Sequence, residues 1–306
     1  MQQFFQQLIN GLSWGAIYAL IAVGYTMVYG VLRLINFAHG DLYMVGAMGG
    51  WYIATKWLHI QHPSWIAFLS ILLLAIVVCG TMGFVIELVA YRPLRDQPRI
   101  TALITAIGVS MFLEFGGQRF FGANPQAFPQ LIPGLEHSTT LFTIGGVIVG
   151  KVDMLILGLS LVLMVVLRWI VMHTRTGMAL RAVSFRFDTA ALMGINVNRI
   201  ISFTFVLGSS LAAVAGVLVA VRSPKVDPLM GLVPGLKAFI AAVLGGIGNI
   251  PGAVVGGFLL GITEVFVAGY FPQGSQYRDG VAFVILIAVL MVKPSGLFGS
   301  NLVEKV

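Results

Sequence analysis

Residues 1–32 read MQQFFQQLINGLSWGAIYALIAVGYTMVYGVL, and none of them is Lys, Arg, Asp or Glu. A helix needs about 20 mostly apolar residues to cross the hydrocarbon of a bilayer. The run from Leu8 to Leu32 supplies them. It is too long for the apolar part of a signal peptide, and MQQFFQQ before it lacks a basic region. The stretch therefore reads as a first membrane span.

Outward from it, three more stretches carry no charged residue: 57–86, 200–221 and 238–263. Only 9% of the 306 residues are charged and 58% are hydrophobic. A water-soluble domain carries roughly 25% charged residues, so the solvent for most of this chain is lipid. The net charge of +7 is spread over short loops and does not gather on one face, which excludes nucleic acid as a partner. Cys79 is the single cysteine, so no disulfide framework forms within the chain.

The pattern predicts an all-α, polytopic transmembrane bundle of about 8–10 spans in one transmembrane domain over 1–306. Helices are expected at 8–32, 38–57, 64–91, 100–121, 152–172, 199–221, 236–248, 251–271 and 280–293. Segment 236–248 is short for a crossing. It lies between Pro234 and Gly245-Gly246-Ile247-Gly248-Asn249-Ile250-Pro251-Gly252, a run that cannot stay helical. A broken or re-entrant helix is expected there, lined by protein or a water-filled cavity. Gly40–Gly50 and Gly235–Gly246 both run from a glycine to a Gly-Gly pair, a likeness too faint to carry a symmetry by itself.

Basic residues set the orientation. Loop 92–99 holds Arg92, Arg95 and Arg99 against Asp96, and segment 168–199 holds five arginines against Asp188. Together they carry eight of the twelve arginines, so both are expected in the cytoplasm. The polar stretch 122–151 and the N-terminus then face outward. The basic residues of Arg222–Lys237 sit awkwardly in this scheme, since they fall outside with only Asp227 to offset them.

Gly145-Gly146-Val147-Ile148-Val149-Gly150-Lys151 matches the start of a phosphate-binding loop, but Val152 stands where Ser or Thr would hold magnesium. The match is read as chance, and the chain as having no nucleotide site of its own. Segment 173–199, HTRTGMALRAVSFRFDTAALMGINVNR, is too long for a simple connection. Thr176 is expected to cap a helix over Gly177–Ser184 and Asp188 one over Thr189–Met193, with Gly194 as a left-handed stop. Two short basic and apolar helices suit docking into a partner's groove. The alternative is an arginine-rich linker on the membrane surface.

Asp188-Thr189-Ala190-Ala191-Leu192-Met193-Gly194-Ile195 resembles the Glu-Ala-Ala…Gly signature of ABC-importer permeases, with Asp for Glu and the glycine one position sooner. That variation is similar to branched-chain amino acid permeases of the LivH/LivM type. So are Asn36-Phe37-Ala38-His39-Gly40-Asp41, Lys237-Ala238-Phe239 through Gly245-Gly246-Ile247-Gly248 and Pro251-Gly252-Ala253, and Lys293-Pro294-Ser295-Gly296-Leu297-Phe298-Gly299. The likeness spans the chain, and the LivH type fits better because no long N-terminal extension is present.

The resemblance implies a permease subunit of an ATP-driven importer in a bacterial inner membrane, moving Leu, Ile or Val delivered by a periplasmic amino-acid-binding protein. It implies a second permease of the LivM type and two cytoplasmic ATPase subunits that hold ATP and Mg, with no cofactor on this chain. Arg175, Gly177, Arg181, Asp188, Ala190, Ala191 and Gly194 would couple to the ATPases.

Polar groups at membrane depth are the other candidates. Asn36, His39, Gly40 and Asp41 begin a helix whose free N–H groups would suit a substrate carboxylate; a simple interfacial cap is the alternative. Glu114, Lys237, Gly245, Gly246 and Glu264 are path candidates, with buried hydrogen bonding between helices as the alternative for the acids. Glu87 lies near enough to the interface to snorkel. The five histidines lack metal-ligand spacing, and no nucleophile and base pair up, so no enzyme site is expected. A secondary transporter or channel is the rival reading; it would share the broken helix but has no need of a 27-residue segment with two short helices.

Overall fold

The charge-free N-terminal run folds as one helix of 31 residues, α1 (Gln2–Leu32), about 46 Å long at 1.5 Å per residue. It starts six residues before the expected boundary. It ends where Arg33 turns left-handed at φ 54° and its N–H bonds the Tyr29 carbonyl at 2.7 Å. This computed structural model describes residues 1–60, 62–95, 97–134 and 140–299, and leaves aside the side chains of Arg99 and Ile144. Asp96 and part of the outward stretch, 135–139, lie outside the described residues.

Each expected span has its counterpart. Helix α2 (His39–Tyr52) continues through a π-helical turn to Trp57. Helix α3 (Trp65–Ile86) continues through a π-helical turn (Glu87–Tyr91) and a 3-10 turn (Arg92–Leu94). Helix α4 (Arg99–Phe121) follows, then short strands β1 (Gln126–Ala127), β2 (Thr140–Ile144) and β3 (Val147–Gly150). Next come α5 (Lys151–His173), α6 (Arg175–Phe185), α7 (Phe187–Leu192) and α8 (Val197–Arg222). The chain continues through β4 (Lys225–Val226), α9 (Leu232–Gly245), α10 (Ile250–Tyr270) and α11 (Gly274–Val292).

Among the described residues, seven helices are long and apolar enough to cross a membrane: α1, α3, α4, α5, α8, α10 and α11. The short α2 and α9 have 14 residues each. The break after α9 falls where the glycines predict it, with Gly246 at φ 101° and Gly248 at φ 95°. Asn249 then caps α10, its Oδ1 accepting from Gly252 N at 3.1 Å, with Pro251 in the first turn.

The core forms where α1 and α8 cross. In lipid there is no hydrophobic force between helices, so small residues that admit close backbone contact do the packing. A Cβ on Gly24 would lie 3.1 Å from the Gly208 carbonyl oxygen, and one on Gly15 would lie 2.8 Å from Phe258 Cα of α10. A Cβ on Gly46 of α2 would lie 2.6 Å from Ala213 Cα of α8.

The two ends of the bundle are distinct. Gln6 exchanges hydrogen bonds with the backbone of Ile148, and β1 pairs antiparallel with β4. These contacts gather the N-terminus, 122–134, 140–150 and 223–231 at one end. At the other, Arg95 Nη1 donates to Asn198 Oδ1, joining the two arginine-rich loops. Exposed Trp57, Trp65, Phe120, Tyr270 and Phe271 near the first end and Trp169 near the second suit the aromatic belts of a membrane interface.

The packing repeats itself. Helix α1 lies along α10 as α8 lies along α3, α2 lies against α8 as α9 lies against α1, and α2 packs on α3 and α4 as α9 packs on α10 and α11. Since α1 ends at the arginine-rich end and α8 begins there, the two halves are inverted. The Gly40–Gly50 and Gly235–Gly246 likeness falls on α2 and α9, which this exchange interchanges.

Candidate functional site

The starts of the two short helices meet in the interior. A Cβ on Gly40 would lie 2.7 Å from the Gly231 carbonyl oxygen and 2.9 Å from Gly235 Cα. Only glycine lets α2 and α9 approach so closely. Beside this contact, the His39 ring packs on Tyr25 with centroids 4.6 Å apart and fills the space a side chain on Gly24 would need.

Asp41, in the first turn of α2, accepts from Ser110 Oγ of α4 at 2.5 Å, and the Glu114 carboxyl is near enough for its charge to act on it. The structure thus brings His39, Gly40, Asp41 and Glu114 into one region. Asn36 faces another way: its Oδ1 accepts from Tyr91 Oη at 3.0 Å. Ser110 and Tyr91 were not legible as site residues, since a lone hydroxyl in an apolar helix carries no pattern.

A second polar region lies toward the N-terminal end. Lys237 of α9 is 5% exposed and bonds Glu264 of α10 at 2.5 Å and Asp279 of α11 at 2.5 Å. Arg278 also pairs with Glu264. Arg222, at the end of α8, pairs with Asp153 of α5 and bonds Ser13 of α1. These contacts reduce the difficulty over orientation to one exposed base, Lys225, beside Asp227. Arg222 and Lys237 are paired side chains, largely buried, and do not count as loop charges. The Arg278-Asp279 dipeptide inside an apolar helix was the available signal for this region.

Glu87 does not snorkel. It is fully buried, paired with Arg92 at 2.9 Å and with Arg95, and bonded by Ser202 Oγ of α8 at 2.6 Å. Gly245 and Gly246 sit at the break. The Gly245 carbonyl accepts from Phe298 N at 3.1 Å and the Leu244 carbonyl from Leu297 N at 2.9 Å. The Lys293–Gly299 motif therefore closes the end of α9.

Segment 173–199 contains the two expected helices, with different caps. Thr174, not Thr176, caps α6: its Oγ1 accepts from Gly177 N at 3.0 Å. Helix α7 starts one residue before Asp188, which lies in the first turn without a cap bond. Gly194 is left-handed at φ 81°. Gly177 and Ala190 are buried anchors, whereas Arg175, Arg181, Asp188, Ala191 and Gly194 are exposed. Met178, Phe185, Leu192 and Met193 stand out between them, 64% to 87% exposed. The look-alike phosphate loop is a β-turn: Gly145 and Gly146 join β2 to β3, and Lys151 starts α5.

A family described as "Branched-chain amino acid transport system / permease component" matches residues 7–290. The chain belongs to this family. The permease is 43% identical over 308 residues to the high-affinity branched-chain amino acid transport system permease protein BraD of Pseudomonas aeruginosa, covering 99% of this chain and 98% of that one. It is 41% identical over 307 residues to the corresponding protein LivH of Escherichia coli, with the same coverage. Among solved structures, PsaBC from Streptococcus pneumoniae in complex with Fab aligns over 97% of the permease and 94% of its own chain, at a TM-score of 0.48 and 14% identity.

Proposed function

We propose that this chain is a membrane-spanning permease subunit of an ATP-driven importer of branched-chain amino acids. Its relatives carry that substrate in their names, and the likeness runs through the whole length of both chains. The observation that carries the coupling role is the surface of α6 and α7. There Met178, Phe185, Leu192 and Met193 project among exposed arginines at the arginine-rich end of the bundle. Bulky apolar side chains standing in water at that density mark a docking surface.

Two cytoplasmic ATPase subunits are the partners that such a surface serves, with ATP and Mg held on them. A second permease completes the translocation path, and a periplasmic binding protein delivers Leu, Ile or Val at the opposite face. ATP-driven closure of the ATPases pushes on α6 and α7. That push reaches the bundle through Gly177 and Ala190, where the segment is anchored.

The test is uptake of radiolabelled leucine by proteoliposomes carrying the complete complex. Gly194→Glu and Arg181→Glu are expected to keep ATP hydrolysis while uptake falls about tenfold or more, the effect of losing a central docking contact. Normal uptake in both variants would remove the docking role.

A further inference from the structure

Around Glu264 the described residues form a balanced charge network that no transport role yet explains. Three bases, Arg222, Lys237 and Arg278, face three acids, Asp153, Glu264 and Asp279. The indole of Trp14 lies between two of the bases, 5.1 Å from the Arg222 guanidinium carbon and 5.2 Å from that of Arg278. Ser13 and Tyr18 add contacts from α1. Six helices, α1, α5, α8, α9, α10 and α11, are thereby tied together toward the N-terminal end.

The same pattern recurs, inverted, at the arginine-rich end. Gly24 of α1 meets Gly208 of α8 at the crossing, an offset of 184 positions. With the same offset Tyr18 corresponds to Ser202 and Trp14 to Asn198. The Tyr18 ring faces Lys237, the partner of Glu264 of α10, and Ser202 bonds Glu87 at the end of α3. Trp14 packs on Arg278 near the start of α11, and Asn198 bonds Arg95 just before α4. Each cluster thus has a buried acid on the third helix of its half. In each, the arginine comes from the segment that opens the fourth helix, and the anchor is the central helix of the other half.

We propose that these two clusters are a pair of latches, one for each side of the membrane. The Glu264 network holds α11 onto α9 and α10 and shuts the end that bears the N-terminus. The Glu87 cluster is its counterpart and holds the α3–α4 elbow to α8. Charged side chains buried at depth are costly unless paired. A latch made of them is therefore two-state: seated with its opposite charges together, or open to water and hydrated. An intermediate with unpaired charge in lipid is excluded by energy. Inverted repeats give a transporter two equivalent halves that exchange conformations, and equivalent latches are what that exchange requires. The inference rests on the proposed function only for what drives the opening.

The experiment uses the full chain in its complex, in right-side-out membrane vesicles, with Cys79 replaced by Ser and a reporter at Ala282→Cys. Ala282 is 1% exposed in α11, one turn below Arg278. Lys237→Met breaks two of the ion pairs; Asp279→Asn loosens one from an exposed side chain, 57% accessible, and carries little risk to folding. A membrane-impermeant maleimide is expected to label the reporter about tenfold faster in both variants, because the open state is a minor population in the parent. Thermal unfolding and co-purification of the partner chains check that the fold is kept. If Lys237→Met does not fold, Asp279→Asn decides. Unchanged labelling in Asp279→Asn overturns the latch. Failure of the parent complex to take up leucine would overturn the proposed function and leave the labelling result standing.

Discussion

At Gly216 of α8, a Cβ would strike the Tyr43 carbonyl oxygen and lie 2.9 Å from Ala47 N, both backbone atoms of α2. Backbone cannot rotate away, so Gly216→Val must push α2 off α8. Overpacking of this kind costs about 1–3 kcal/mol, and the thermal midpoint in detergent is expected to drop by several degrees. Gly158 of α5 has no atom within 4 Å of an added Cβ. Gly158→Ala is therefore expected to leave the midpoint unchanged or to raise it. Equal losses in the two variants would contradict the packing account. Glu87 makes a second case. Its carboxylate has no exposure, yet Arg92 and Arg95 retain 33% and 14% of theirs. Glu87→Gln removes the carboxylate charge from beside two arginines that keep some access to water, so the expected loss is about 1–2 kcal/mol, below the 3–5 for a fully buried pair. Denaturant titration of the purified chain measures it.

At the scale of elements, the cap of α6 separates what sequence predicts from what the fold selects. Both Thr174 and Thr176 precede an apolar run, and either can accept an N–H. Thr174 wins because α5 ends at His173 and the chain turns at once, leaving Thr176 already inside the helix. Thr174→Ala is expected to weaken α6 by about 1 kcal/mol, seen as roughly fivefold faster amide exchange at Gly177 and Met178; Thr176→Ala should leave that exchange unchanged. The spans themselves were legible throughout, since charge gaps and glycine breaks mark them along the chain. The ends of α1 and α11 were not: Gln2–Gln7 and Gly274–Asp279 are polar enough to read as loop, and they are helical because tertiary contacts hold them. Phe4 packs on Phe266, and Asp279 bonds Lys237. In the same way, His39, Asp41, Lys237 and Glu264 were visible as polar groups at depth, but their partners were not, because pairing depends on which helices lie side by side.

For the whole molecule, the deciding matter is which end faces the cytoplasm. Arg95 bonded to Asn198 puts both arginine-rich loops at one end, and the N-terminus, the β2–β3 hairpin and β4 sit at the other. Two of the three bases that argued against this layout are paired below the surface, Arg222 with Asp153 and Lys237 with Glu264 and Asp279, while Lys225 on β4 is exposed. What remains is the arginine excess of segments 92–99 and 168–199, the quantity that sets topology. In the Cys79→Ser background, Ser184→Cys on α6 and Gln126→Cys on β1 report on opposite ends. An impermeant thiol reagent applied to intact cells is expected to modify Gln126→Cys and to spare Ser184→Cys until the membrane is opened. The reverse pattern would put α6 and α7 outside, where no ATP is available, and the importer reading would fail with it. It would also exchange the two latches, so that the Glu264 network closed the cytoplasmic side. The pairing of the two halves would be untouched, because it rests on contacts within the chain and holds for either orientation in the bilayer.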